Sequence, residues 1–297
     1  MSGGLRNGEW ELAYPGTVYT FGTTATPAWN LTTPDLGDAT LRTSDSDRPR
    51  QDGRSFGTDY RGGRTISFEM GLRARSSEEA RHEAQEFQRA WRADSIRSTP
   101  GAVAQLRTIY DGRERVVYGR PRRMSLNYDD TTVNKYVGIV ADFACTDDLF
   151  YGTDEQGVGF GIAPSLGGGL LAPLAAPLST TMTSDRSQGF AVYSKMPVWP
   201  VIRINGPILN PEVVIGPEVR ISARLDLGRD EWVEIDTRPW RRSALRNGTA
   251  NVSGAIRGTR LAKASLPSGN YDVGLKGTDP TGTASVQLNW SSTYSAL

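Results

Sequence analysis

The sequence predicts a mainly β protein of two modules, the first crossed by a single helix. Three observations carry this prediction. The chain holds 33 glycines and 17 prolines among 297 residues and has few long apolar runs, which suits many short strands joined by turns. Turn signals recur about every ten residues through the second half. Only residues 76–96, SSEEARHEAQEFQRAWRADSI, carry the period of a long helix. At this length two domains of ordinary size, each with its own core, are expected.

Taken in order, residues 9–23 set Trp10, Leu12, Val18, Tyr19 and Phe21 around a Pro15-Gly16 turn and read as a strand pair. Residues 31–63 are polar, rich in Asp, Arg, Gly and Ser, and longer than a plain loop in a compact domain, so they are expected to be mobile or ordered by a partner. In residues 64–74, Ile66, Phe68 and Met70 alternate with Thr65, Ser67 and Glu69, the pattern of a half-buried strand. The helix follows. Ser76 or Ser77 can cap it, and Glu78, Glu79 and Glu83 place negative charge where the helix dipole favours it. Ala80, Ala84, Phe87 and Trp91, at spacings of four, three and four, form one apolar stripe on an otherwise charged surface. A helix of about twenty residues spans roughly 30 Å, the width of a sheet, so it should lie across a sheet built from its flanks and stop before Pro100-Gly101.

Residues 104–110 and 115–119 flank Asp111-Gly112, a hairpin signal, and residues 120–128 and 135–144 add two strands around a DDTT turn. The first domain, 1–152, is expected to close at DDLFYG. Residues 153–189 read as an extended connector rich in glycine, alanine and proline. Residues 190–297 form the second domain. Strands are expected at 190–193, 200–204 and 211–215, and a hairpin of 219–226 with 231–235 across LGRD. After the DTRPW turn come an Asn247-Gly248 turn, a break at LPSG, and closing strands at 271–276 and 284–290, the pattern of a β-sandwich.

Charge and cysteine content narrow the function classes. Net charge is +1, with 20 basic and 21 acidic residues up to Gly152 and 14 and 12 after it, so no basic lobe suggests coating of nucleic acid. Thirty of the 34 basic residues are Arg, a bias that fits a GC-rich genome. Cys145 is the only cysteine, which rules out an intrachain disulfide. The opening MSGGLRNGEWELAYPG lacks the apolar core of a signal peptide, and no run reaches the ~18 apolar residues of a spanning helix, so folding in a cytoplasm is expected.

Candidate chemistry is sparse. His82, the only histidine, lies on the charged side of the helix one turn from Glu78 and Glu86, and reads as a solvated or salt-bridged residue because no Ser or Cys nucleophile motif is near. One histidine also excludes His-rich metal sites. Cys145 ends an alternating strand and reads as a small buried residue, not a reactive thiol. Asp129-Asp130 and Asp147-Asp148 are adjacent pairs whose members point to opposite faces of an extended chain, so each reads as a turn former and neither as an acid/base dyad. The glycine-rich residues 157–169 lack a GKS or GKT ending and any strand-to-helix context, and read as linker. Arg113, Arg115, Arg120, Arg122 and Arg123 bracket a hairpin with thin aromatic interleaving, which suits a solvated or partner-facing ladder better than a nucleic-acid site. Trp199, Trp232, Trp240 and Trp290 could stack on a sugar or fill a core. No catalytic, cofactor-binding or metal residue is nominated, and no cofactor is expected.

The order of elements carries a resemblance. A strand, a polar loop, GGRTISFEM, a helix ending in RAW, then PGA, a hairpin around DGR and a strand running into DDLFYG resemble the N-terminal domain of the distal tail (minor tail) proteins of long-tailed, siphovirus bacteriophages. GLLAPLAAPLS, PVWPVIRINGPILNPEVVI, LPSGNYDVGLKG and SVQLNW are similar to the second half of such proteins from phages of actinobacteria. The resemblance spans most of the chain; Asp148-Leu149 stands where relatives often have Asp-Pro. It implies a tail-tube-like split β-barrel with one helix followed by a galectin-like β-sandwich. It also implies a non-enzymatic virion protein at the tail tip, six copies of which close a ring joining the tail tube to baseplate hub or receptor-binding proteins. Tape measure protein and DNA would pass through the lumen, and the balanced charge is compatible with DNA that slides without sticking. The competing reading is a binding module whose C-terminal sandwich recognises cell-wall carbohydrate; a hydrolase using Asp147, Asp148 or Glu155 is a third.

Overall fold

A computed structural model describes residues 4–22, 28–129, 131–161, 184–279 and 281–297. The chain divides into two compact units, residues 1–153 with 294–297, and residues 154–293.

In the first unit the strands run Thr17–Gly22, Glu9–Tyr14, Ala104–Tyr110, Arg113–Asn127, Tyr136–Cys145, Thr65–Arg73, Ala28–Leu31, each antiparallel to the next. The first and last of these meet through Phe21 and Trp29, whose rings lie 6.3 Å apart, yet no ladder joins them among the described residues. The sheet is thus an open barrel. Alternation sets its inside: Ile66, Phe68 and Leu72 face Val137, Ile139, Ala141 and Phe143 in a common core.

Helix α1, Ser77–Arg92, closes that core. Ser76 caps it by accepting the Glu79 N–H, and Ala80, Ala84, Phe87 and Trp91 are all buried, as the stripe required. The helix is shorter than 76–96. Ala93 turns left-handed at φ 47° and a single turn, Asp94–Arg97, follows. That kink disfavours Ala by ~1–2 kcal/mol, and it lets Ile96 reach the core at 2% exposure.

One other expectation changes in this unit. Residues 113–127 are one strand, not two, because its first half pairs with Ala104–Tyr110 and its second with Tyr136–Cys145; a register shift between Pro121 and Met124 bends it. Residues 31–63, expected to be mobile or ordered by a partner, contain short paired strands. Leu41–Arg42 pairs with Tyr60–Arg61 and Ser46–Asp47 with Arg54–Ser55, making a β-ribbon.

The second unit is a sandwich of two antiparallel sheets. One has Val201–Asn205 between Ser285–Tyr294 and Trp232–Asp236, then Ser243–Arg246 and Ala250–Asn251 across the Asn247-Gly248 turn. Both turn residues have positive φ, a conformation that Asn and Gly tolerate better than other residues, and the Thr249 N–H closes the turn onto the Arg246 carbonyl. The other runs Ser184–Val192, Gly269–Thr278, Ile208–Ile215, Val219–Ala223, Ile256–Gly258. Ile202, Ile204, Val233, Ile235 and Leu288 from the first meet Val213, Ile215, Ile221, Val273 and Leu275 from the second in one core.

The expected hairpin of 219–226 with 231–235 does not form. Val219–Ala223 and Trp232–Asp236 lie in opposite sheets, because each has an apolar face that the other sheet's apolar face covers. The stretch read as connector, 153–189, is strand at both ends, Phe150–Gly161 and Ser184–Val192; its middle, 162–183, lies outside the described residues. Its glycines mislead as linker signals. Gly157 sits so close to the neighbouring strand that a Cβ would lie 2.5 Å from Asn289 Oδ1, while Val158 and Phe160 between the glycines pack into the sandwich.

Candidate assembly surfaces

His82 is exposed on α1. Cys145 is buried, and burial together with the Asp147 carboxylate pushes its thiol up to about 12, so it stays an inert thiol near neutrality. Asp129 lies at a turn where its N–H donates to Asn127 Oδ1, and Asp130 lies outside the described residues. Among the described residues no group of three His, Cys, Asp or Glu could hold a metal ion.

Asp147 and Asp148 do different work. Asp147 accepts the Leu149 N–H at 3.0 Å and the Tyr151 hydroxyl at 2.8 Å, while Asp148 pairs with Arg61 at 3.0 Å. Burial lifts the Asp147 carboxyl above the usual range, the two hydrogen bonds pull it back, and Asp148 adds to the rise. A raised carboxyl contributes stability below its unfolded pKa and loses it as pH rises through the folded value. Asp147→Asn, whose amide can accept from Leu149 and donate to Tyr151, is therefore expected to raise the melting temperature of the first unit near neutral pH and to lose that gain at acid pH. Asp147→Ala strands both partners and is expected to cost about 1–3 kcal/mol. Calorimetry at two pH values checks the pair.

The arginine group is not one patch. Arg115 is buried beneath the Tyr294 ring, and Arg120 donates to the carbonyls of Ala102 and Thr99, whereas Arg113, Arg122 and Arg123 are exposed. Nor do the tryptophans offer an open platform together. Trp290 is in the core with its Nε1 donating to Gln156, the Arg203 guanidinium lies 4.0 Å over Trp232, and Trp199 and Trp240 are half-buried.

What the first unit presents outward is the ribbon. Of residues 41–61 all but Asp45 are exposed, among them Phe56 at 85%, Tyr60 at 59% and Leu41 at 56%. It is held by its own bonds: Gly57 N–H to Asp45 Oδ1, the Ser44 hydroxyl to the Thr58 carbonyl, and Arg54 with Asp45 and Asp47. An isolated two-stranded ribbon is marginal in water. Asp52-Gly53 at its tip is a turn signal that sequence reading passed over amid the polar residues.

No protein-family model matches the sequence, and no curated protein matches it. Solved structures do. The Dit protein (gp 19.1) of phage SPP1, described as a paradigm of the hub adsorption apparatus in phages infecting Gram-positive bacteria, matches with a TM-score of 0.59 and 12% identity over 96% of this chain and 99% of its own. This chain has a Dit-like fold. A chain of the phage p2 baseplate in its activated conformation with strontium matches at a TM-score of 0.50 and 12% identity, over 95% of this chain and 97% of that one. The Dit-like fold accounts for the mainly β, two-unit architecture; at 12% identity the likeness is one of fold.

Proposed function

We propose that the chain is a structural subunit of a phage virion, a distal tail protein of a siphovirus, of which six copies close a ring at the tail tip. The observation that carries this is the extent of the Dit-like fold, 96% of this chain against 99% of SPP1 Dit. The ring joins the tail tube to hub, baseplate or receptor-binding proteins, and tape measure protein and DNA pass through its lumen without specific binding. The protein is made in the host cytoplasm and resides in the virion; the Arg bias and the resemblance of the second half favour an actinobacterial host. It is not an enzyme on this reading, as the resemblance to distal tail proteins implies.

The ribbon supports the ring. A heterologous contact, one patch against a different patch of the next copy, closes when its rotation divides the circle, and a paired ribbon with bare Phe56, Leu41 and Tyr60 supplies one such patch. Phe56→Ala is expected to leave the melting temperature of the lone subunit within about 1 °C, since Phe56 is 85% exposed, and to lower the yield of assembled tails. Electron microscopy of tails carrying a tagged chain tests the whole reading: six copies around the tail axis are expected, and a chain absent from the virion, or solitary in it, sinks it. Wall-carbohydrate recognition by the second unit, the alternative, would use Trp199 or Trp240; a glycan array probed with the full chain and yielding no bound glycan ends it.

A further inference from the structure

The chain leaves the first unit at Thr153, builds the second, and re-enters the first at Tyr294. Two buried cations receive it. Arg115, 6% exposed, lays its guanidinium 3.6 Å from the centre of the Tyr294 ring. Arg64, 9% exposed, donates from its guanidinium to the Ser295 carbonyl at 3.0 Å and to the Asp148 carbonyl, with the Phe150 ring 4.7 Å away. Tyr294 and Leu297 pack against the first unit's core. Among the described residues no carboxylate lies within ion-pair distance of either guanidinium, and the Nε of each lacks a hydrogen-bond partner.

A buried cation without a carboxylate is costly unless dipoles or π electrons surround it. The returning segment supplies both, a carbonyl for Arg64 and a ring face for Arg115. Without residues 294–297 Arg64 would keep the Asp148 carbonyl, the Phe150 ring and the more distant Asp147 carboxylate, Arg115 would keep the Glu114 carbonyl, and both guanidiniums would draw water into the core beside Phe150.

We propose that residues 294–297 are a strap that completes the first unit, so that this unit reaches its stable form only after the second has been synthesised. A chain interrupted within the second unit would carry a loosened first unit and would be excluded from the ring. This exclusion rests on the ring reading; the loosening does not.

Differential scanning calorimetry of the full chain, of a chain ending at Thr293, and of full-length Tyr294→Ala and Tyr294→Phe tests the strap. The transition of the first unit is expected to fall by about 5–10 °C in the shortened chain, with that of the second unit unchanged. Tyr294→Ala should give part of this fall and Tyr294→Phe almost none, since the stack needs the ring and not the hydroxyl. Unchanged transitions in both the shortened chain and Tyr294→Ala overturn the proposal. If the shortened chain cannot be recovered folded, the Ala and Phe variants decide, and equal melting of the two overturns it. Tail incorporation is read separately: a full chain that enters no tail defeats the ring reading, while the melting comparison still decides the strap.

Discussion

Trp91→Ala is expected to cost the first unit about 3–5 kcal/mol, the range for deleting a buried large aromatic side chain, and with it any assembly that needs this unit folded. Trp91 is 1% exposed and sits at the centre of an aromatic cluster: Phe87 stacks on it at 5.2 Å, Phe21 and Phe68 meet it edge-on at 6.1 Å, and Phe143 at 6.4 Å. These rings come from α1 and from three strands that the sequence places far apart. Truncating the indole removes contacts to all of them and strands the Arg123 carbonyl that accepts its Nε1–H at 3.2 Å. The hole cannot collapse easily, because the barrel wall is pinned by ladders on either side. Arg81→Ala and Gln85→Ala, on the exposed face of the same helix, are expected to stay within about 0.5 kcal/mol. Urea unfolding of the three variants checks the ranking, and a reversed order would mean that the buried face of α1 is assigned wrongly.

Arg238→Ala should be the most damaging single charge deletion in the second unit, at about 3–5 kcal/mol. The Asp236 side chain is 1% exposed and holds Arg238 in a fork, with Nε at 2.9 and 3.1 Å from its two oxygens, while Arg241 approaches to 3.6 Å. Asp236 also accepts the Arg238 backbone N–H at 3.0 Å, which fixes the DTRPW turn. The two partners are not equally exposed: the Arg238 side chain keeps 28% of its surface open. Removing the arginine leaves a buried carboxylate short of its main partner. Removing the charge on the other side, as in Asp236→Asn, leaves an arginine that can turn to water, so a smaller loss is expected. Chemical denaturation of the two single variants and the double variant measures this asymmetry. Equal losses would show that Arg238 is not what neutralises the buried carboxylate.

Much of the fold is legible without coordinates where local signals and burial agree. Ser76 as cap, the Ala80-Ala84-Phe87-Trp91 stripe, the alternating Thr65–Arg73 and Tyr136–Cys145 strands, and the Asp111-Gly112 and Asn247-Gly248 turns all follow from a period or a backbone requirement that acts over a few residues. The misreadings share one cause. Residues 219–235 look like a hairpin because two apolar strands flank a turn, and whether such strands lie side by side or face to face depends on which sheet offers a free edge. The glycines at 157 and 159 look like linker because the reason for their small size, a neighbouring strand 130 residues later in the sequence, is invisible locally.

The candidate surfaces divide in the same way. Sequence alone established a mainly β chain with one long amphipathic helix and no intrachain disulfide, since these depend on composition and short-range spacing. Tertiary structure decided that the polar stretch around residues 41–61 is a paired, outward-facing ribbon, and that Arg64 and Arg115 are buried against residues 294–297. Such facts arise from contacts between segments far apart in the chain, and the energy of a long-range contact is set by what the fold brings to it, not by the residues on either side of it in sequence.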